Sequence, residues 1–269
     1  MTHGTLKSAS MLLACLTLAA CSDSLTPSAG RPVTVSFSSA PSIATVRSGS
    51  LVSDPFQLSR SVTATSGTDV LVISKVQVVL ARIELERVAA GCQSGTAAGD
   101  DVVDEHECSE LELAPSLVEL PVNSAITTAL SVTVPAGSYS AIEAKIRALS
   151  PDGDQGNGSR AFLAAHRELA GVSVIVTGTF NGKAFTYMGA PRAEFEASFA
   201  PPLVVDAAPV NLTVAADVTT WFKTQSGLLI DPSSANAGGV NAGTVADNIR
   251  RSFKAFRDND RDGHDDDQH

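Results

Sequence analysis

Short runs of alternating apolar and polar residues, separated by turn residues, constrain the fold of this chain most strongly. The clearest run is "GVSVIVTGTFNGKAFTYMG", in which Asn181-Gly182 lies between two alternating arms. Asn-Gly readily adopts the positive φ angles of a type I′ turn, so this run predicts a β-hairpin. The run "ALSVTVPAGSYSAIEAKIRAL" alternates in the same way on both sides of a Pro-Ala-Gly turn.

The segment "LVISKVQVVLARIELERV" is long for one strand and changes its pattern part-way. Its apolar side chains first fall at even-numbered positions, such as Val78 and Leu80, and then at odd-numbered positions, Ile83 and Leu85. Because side chains alternate between the two faces of a sheet, this change predicts a β-bulge near Val79 to Arg82. Many short strands with frequent turns predict a mostly β chain, with an antiparallel β-sandwich over residues 32–232.

The end of the chain has a different pattern. We expect a loop over residues 233–243 and a short amphipathic helix over residues 244–257. The segment "TVADNIRRSFKAF" has apolar residues at helical spacing. These apolar residues are Val245, Ile249, Phe253 and Phe256.

The first twenty residues have the composition of a secretory signal. Lys7 precedes a short apolar stretch that is too short to span a bilayer as a stable helix. Leu18-Ala19-Ala20-Cys21 resembles the lipobox of bacterial lipoproteins, in which the cysteine becomes the acylated first residue. The resemblance implies a signal peptide at residues 1–20 and lipidation at Cys21, followed by a flexible tether at residues 21–31. The alternative is an ordinary cleaved signal with a chance cysteine.

The lipobox resemblance also implies a place in the cell. A lipid on Cys21 would anchor the chain to a membrane of the bacterial envelope. Ser22 follows this cysteine, where retention at the inner membrane would favour aspartate. The resemblance therefore implies the outer membrane, on its periplasmic or its surface face, rather than the inner membrane.

The charge of the chain argues against nucleic acid as a partner. The sequence has 19 Lys and Arg against 29 Asp and Glu, a net charge of −10. Nucleic-acid binding depends on clustered positive charge, and acidic surfaces instead attract cations.

Two cysteines remain after the signal and the lipidated residue are set aside. Cys92 and Cys108 enclose a small, polar, acidic stretch with no apolar pattern of its own. In an exported chain such a pair predicts one disulfide, which closes a loop of about 17 residues and stabilises by roughly 3 kcal/mol. The alternative, a metal site that includes His106, lacks further Cys or His residues nearby.

The tail "DNDRDGHDD" is the sharpest local motif. Alternate carboxylates followed by glycine can fold around a hard cation such as calcium. The motif resembles the DxDxDGxxD loops of thrombospondin type 3 repeats and departs from the EF-hand, because no glutamate stands at its twelfth position. The resemblance implies five calcium ligands: Asp258, Asp260, Asp262, Asp266 and the carbonyl of His264. The alternative is that residues 258–269 form a solvated acidic tail.

Local enzyme signatures are missing from the sequence. It contains no nucleophile elbow, zinc-protease helix, phosphate loop or dinucleotide-binding glycines. His166 lies beside charged residues and is expected at the surface. Trp221 and Phe222 are expected to anchor the core rather than to form a binding patch. We therefore expect a protein that is not an enzyme.

A wider resemblance covers residues 33–222. The "LVISKVQV" strand, the "VPAGSY" turn and the "GTFNGKAF" hairpin are similar to a group of uncharacterised bacterial lipoprotein domains, in which the strand has the form V-x-I-x-x-V-x-V. That group implies a β-sandwich of immunoglobulin or transthyretin-like type and supplies no catalytic residues. We therefore expect a module that binds an envelope protein or glycan. The alternatives are a structural spacer without a soluble ligand and, less favoured, an enzyme with a site built from distant residues.

Overall fold

The structure, a computed structural model, describes residues 31–39, 61–88, 111–122, 127–152, 158–205, 210–260 and 266. Its strands are β1 (Arg31–Ser38), β2 (Val62–Ser66), β3 (Asp69–Arg87), β4 (Leu111–Leu113), β5 (Ser116–Leu120), β6 (Thr127–Val134), β7 (Gly137–Ile146), β8 (Val174–Phe180), β9 (Lys183–Gly189), β10 (Ala193–Val205), β11 (Val210–Ala216) and β12 (Phe253–Arg257). Its α-helices are α1 (Ser159–Ala165) and α2 (Ala242–Ser252), and short 3-10 helices lie at Arg167–Leu169, Val218–Thr220 and Pro232–Ala235.

The strands form two sheets, so the mostly β prediction is confirmed. The smaller sheet has four strands in the order β12-β11-β1-β6. The larger sheet has eight strands, with the path β10-β7-β3-β8-β9 and with β2, β4 and β5 paired along β3. All pairings between these described strands are antiparallel except β1 with β11, which is parallel. Since β1 and β11 are far apart in sequence, no hairpin dictates their direction.

Strand β3 is the central strand of the larger sheet. It has 19 residues and pairs first with β8, then with β7, on the same side. The register of the β3–β7 pair shifts between Leu80 and Arg82, which confirms the predicted bulge. The bulge lets Leu80 and Ile83 both point into the core although their sequence parity differs.

One hydrophobic core receives side chains from both sheets. Phe37 and Val214 of the smaller sheet and Ile83 and Phe195 of the larger sheet line the same narrow gap, whose volume is about 10 Å³. Trp221 is the largest of the fully buried side chains in the described residues, which confirms that it anchors the core.

The opposite face of the larger sheet is partly covered by α1. Val79 and Ala81 of β3 pack there in a second, smaller cluster. Leu163 of α1 and Leu169 of the following 3-10 helix complete the cluster. The long β3 strand therefore contacts apolar side chains on both faces around its bulge.

The C-terminal prediction is partly wrong. The helix runs over Ala242–Ser252, and Phe253–Arg257 is a strand, although the sequence predicted a helix over residues 244–257. The expected loop at 233–243 contains the end of a 3-10 helix and the beginning of α2. Pairing of β12 with β11 provides the backbone hydrogen bonds that a longer helix would have made, so tertiary contacts override the helical pattern.

Two predicted turns are present as expected. Asn181 and Gly182 have φ angles of 50° and 78° and join β8 to β9, which confirms the hairpin. In the turn between β6 and β7, the Tyr139 hydroxyl donates to the Pro135 carbonyl at 2.8 Å, and Arg87 Nη2 donates to the Ala136 carbonyl at 2.7 Å. The second turn is therefore held by two side chains.

Candidate metal site

Asp258 directly follows β12, and its backbone forms hydrogen bonds with a residue of β11. The Asp258 N–H donates to the Asn211 carbonyl at 3.3 Å. In return, Asn211 Nδ2 donates to the Asp258 carbonyl at 2.7 Å. The first bond extends the β11–β12 ladder by one residue, and the second, from the Asn211 side chain, helps to fix the position of Asp258 relative to the smaller sheet.

The Asp258 carboxylate is completely buried. Thr213 Oγ1 donates to Asp258 Oδ2 at 2.6 Å, and both side chains are 0% exposed. Ser36 Oγ donates to Asn211 Oδ1 at 3.2 Å, so polar contacts run from β1 across β11 to the end of β12. Burial of a carboxylate is unfavourable unless hydrogen bonds or a cation compensate it, and these residues provide hydrogen bonds.

Two further aspartates approach Asp258. One carboxylate oxygen each from Asp258, Asp260 and Asp266 lie within 4.8 Å of one another. Asp266 Oδ2 also accepts a hydrogen bond of 2.7 Å from the Asn259 N–H. Two oxygens that bind one Ca²⁺ at about 2.4 Å each are at most about 4.8 Å apart. The three carboxylates, called here the aspartate cluster, therefore satisfy the distance condition for one calcium ion.

The aspartate cluster contains three of the five ligands predicted from the sequence. Asp262 and His264 lie outside the described residues, so their prediction stays open. Cys21, Cys92 and Cys108 also lie outside the described residues, and the lipidation and disulfide remain predictions.

Sequence reasoning missed the residues that hold Asp258. Asn211 and Thr213 alternate with apolar residues in β11, a pattern that predicts only that they share one face of a strand. No local signal indicates that this face meets the chain about 45 residues later, because the contact depends on the pairing of β11 with β12.

A second charged arrangement lies on the larger sheet. Four glutamates stand opposite one another on adjacent strands β4, β3, β7 and β10 and are called the glutamate row: Glu112, Glu84, Glu143 and Glu196. Like charges directly across a ladder are unfavourable. The alternating pattern predicts that Glu143 points away from the core, but it does not predict this alignment of four strands.

Two cations offset the glutamate row. Arg82 forms an ion pair with Glu84 and places its Nη2 3.2 Å from Glu112 Oε2. Lys145 Nζ lies 2.7 Å from Glu143 Oε1 and 3.8 Å from Glu84 Oε2. Glu84 is only 7% exposed, so these cations neutralise a carboxylate that the sheet has removed from water.

The pKa values of neighbouring groups reflect this arrangement. A hydrogen bond with the Glu194 carboxyl, followed by one from Lys145, lowers the pKa of Glu143. The same contact with Glu143 raises the pKa of Glu194, which is the more exposed of the two. Glu194 therefore takes up a proton before Glu143 as the pH falls.

His166 is the remaining candidate from the sequence, and it has ordinary surface contacts. Its Nδ1 lies 3.6 Å from Glu168 Oε1, and its ring lies 4.8 Å from the Phe162 ring, centroid to centroid. Phe222 is fully buried, like its neighbour Trp221, so neither contributes to a surface patch. These positions agree with the predictions for all three residues.

Comparisons of the chain with protein-family models, with curated proteins and with solved structures find no match. The resemblance to bacterial lipoprotein domains therefore stays a prediction from the residues. Among the described helices, none is long and apolar enough to cross a membrane.

Proposed function

We propose that this chain is a lipid-anchored protein of the bacterial envelope whose C-terminal segment binds one calcium ion. The β domain would bind an envelope protein or glycan without catalysing a reaction. The observation that carries the calcium part is the convergence of Asp258, Asp260 and Asp266 at calcium-ligand distances. The sequence motif and this convergence are separate arguments, since a matching spacing does not by itself bring carboxylates together in space.

The surroundings of Asp258 support a site for a cation. Thr213 donates a hydrogen bond to one oxygen of the buried Asp258 carboxylate, and Asn211 donates one to the backbone carbonyl of Asp258. A ligand whose orientation is fixed before the ion arrives binds with a smaller loss of conformational freedom. Asp262 and the His264 carbonyl would complete the coordination, because Ca²⁺ takes six to eight oxygen ligands.

Calcium binding is tested by thermal unfolding of the mature chain in EDTA, in calcium and in magnesium. At about one hundred times the dissociation constant, calcium should stabilise the folded state by about 2.7 kcal/mol. For a chain of this size the melting temperature should rise by roughly 5–10 °C. An equal melting temperature in EDTA and in calcium would remove the calcium proposal.

Anchoring rests on the sequence around Cys21. The test is mass spectrometry of the chain isolated from its native envelope, together with membrane fractionation of a Cys21→Ala variant. The proposal predicts diacylglycerol and an acyl chain on Cys21, and release of the variant from the membrane fraction. An unmodified Cys21 or another starting residue would contradict it.

The finer fold type also belongs to this proposal. Two sheets that share one core favour a sandwich of immunoglobulin or transthyretin-like type. The Tyr139 hydroxyl, bonded to a carbonyl four residues upstream, resembles the tyrosine corner of such sandwiches.

A binding role is favoured over an enzyme because the sequence contains no local enzyme signature. The gap of about 10 Å³ between the sheets is lined by apolar side chains and offers no catalytic group. A pull-down from envelope extracts with the tagged mature chain tests this role. A specific saturable partner supports binding, and repeated failure to retain one favours the structural spacer.

A further inference from the structure

Two hairpin turns of the larger sheet are joined by the side chain of Asn181. The Asn181 N–H donates to the Val70 carbonyl, and the Val70 N–H donates to Asn181 Oδ1, each at 2.8 Å. Asn181 Nδ2 donates to Asp69 Oδ1, also at 2.8 Å. Because Asp69 and Val70 begin β3, this amide fastens the β8–β9 turn to the β2–β3 hairpin. We call these contacts the Asn181 latch.

The same amide is placed for a spontaneous chemical change. Asn181 precedes Gly182, and both residues are exposed to solvent at the tip of the turn. Glycine has no side chain to shield its backbone nitrogen. Once solvent base removes its proton, the Gly182 nitrogen can attack the side-chain Cγ of Asn181.

The reaction is balanced without an oxidant or a cofactor. A bond forms between the Gly182 nitrogen and Cγ, the bond from Cγ to Nδ2 breaks, and ammonia leaves with the proton taken from solvent. The resulting five-membered succinimide is opened by one water molecule at either carbonyl. The products are aspartate and isoaspartate at position 181.

We propose that Asn181 is a deamidation site, and that its modification opens the latch between the two hairpins. The aspartate product has no side-chain N–H to donate, and its carboxylate would face the carboxylate of Asp69. Two like charges at hydrogen-bond distance repel each other, so the contact reverses from attractive to repulsive. The isoaspartate product also lengthens the backbone by one carbon atom, which displaces the turn.

The latch should slow the reaction in the folded protein. Attack requires Cγ to rotate towards the Gly182 nitrogen, and both side-chain hydrogen bonds oppose that rotation. One hydrogen bond corresponds to about a fivefold change in an equilibrium constant. Asp69→Ala, which removes one acceptor, should therefore accelerate deamidation about fivefold. Asp69→Asn is the matched control, because its side-chain oxygen still accepts the bond.

Peptide mapping by mass spectrometry measures the rates during incubation of the mature chain at mildly alkaline pH. The mass change at the Asn181 peptide is that of an NH₂ group replaced by OH. Unfolding in urea gives the unrestrained rate of the same residue, and the Asn157-Gly158 pair in the same sample checks the chemical conditions. We expect Asn181 to deamidate fastest in the unfolded chain and more slowly in folded Asp69→Ala. The rate should be slowest, and about equal, in folded wild type and folded Asp69→Asn.

A charge exchange tests the effect of the product on the latch. Asn181→Asp should lower the urea midpoint of unfolding. Combining it with Asp69→Asn should restore most of the loss, because the new amide at position 69 donates to the new carboxylate at position 181. Equal deamidation in folded and unfolded wild-type chains would overturn the proposal. Equal midpoints for Asn181→Asp and wild type, or no restoration in the double variant, would also overturn it.

Discussion

Replacing Thr213 with valine removes the hydroxyl that donates to the buried Asp258 carboxylate. The two oxygens are 2.6 Å apart, and both side chains are 0% exposed, so water cannot take the place of the lost donor without rearrangement. A hydrogen bond to a charged group contributes about 1.5–3 kcal/mol. Valine keeps nearly the same volume, so we expect a loss of about 2 kcal/mol in the free energy of unfolding.

The assay is urea unfolding in EDTA, monitored by the fluorescence of Trp221, which is the single tryptophan of the chain. Thr213→Ser is the matched control, because it keeps the hydroxyl and loses one methyl group, worth about 0.8 kcal/mol. Calcium affinity should fall about tenfold or more in the valine variant, since Thr213 orients a proposed ligand, and should change little in the serine variant.

A valine variant as stable as the wild type would show that the Thr213 hydroxyl does not stabilise the buried Asp258 carboxylate. Serine and valine variants with the same reduced calcium affinity would show that the loss comes from altered packing. Either result would mean that the hydroxyl of Thr213 does not hold Asp258 in the way described.

Three further substitutions test other parts of the fold. The pKa of Glu194 is raised on folding. Its contribution to the free energy of unfolding is therefore fully present below its unfolded pKa and is lost as the pH rises through its folded pKa. Glu194→Gln should therefore raise the free energy of unfolding by about 0.5 kcal/mol near pH 7, with the difference shrinking towards roughly pH 4, as measured by urea unfolding at both pH values. The lowered pKa of Glu143 acts in the opposite direction, and its stabilisation is lost as the pH falls. Gly189→Ala should destabilise by about 1–3 kcal/mol, because the new methyl group would overlap the buried ring of Tyr187; an unchanged melting temperature would contradict this contact. Trp221→Ala should cost about 3–5 kcal/mol of stability, and a soluble variant with a wild-type melting temperature by calorimetry would contradict its place in the core.

Local periodicity predicted the features that depend on neighbouring residues. The parity change in β3 predicted its bulge, because the alternation of side chains must be restored for both Leu80 and Ile83 to reach the core. Asn181-Gly182 predicted its hairpin through the φ angles that this dipeptide adopts. Neither pattern specifies which strands lie beside β3, since those partners come from distant parts of the chain.

The C-terminal segment shows how a correct local pattern can extend too far. Val245 and Ile249 are buried on α2 as the helical spacing predicts. Phe253 continues the same spacing and is buried, but it lies in β12, where the free edge of β11 supplies hydrogen bonds. Periodicity reports burial in both cases and cannot distinguish a buried helical residue from a buried strand residue.

The carboxylates of the aspartate cluster could be predicted from the sequence, but the residues that hold Asp258 in place could not. Spacing within one short segment identified Asp258, Asp260 and Asp266, whose approach depends on local chain geometry. Asn211 and Thr213 meet this segment only through the β11–β12 pairing. Residues that position a site from another strand have no sequence spacing that identifies them.

Calorimetric titration of calcium into the mature chain tests whether the aspartate cluster binds calcium. The chain should carry Cys21→Ser to keep it free of lipid, and Asp258 should be retained because it belongs to the extended β11–β12 ladder. We predict one calcium ion per chain, loss of binding in the Asp260→Asn and Asp266→Asn double variant, and unchanged binding in an Asp247→Asn control. Heats that equal those of dilution, or that are the same in wild type and double variant, would contradict it.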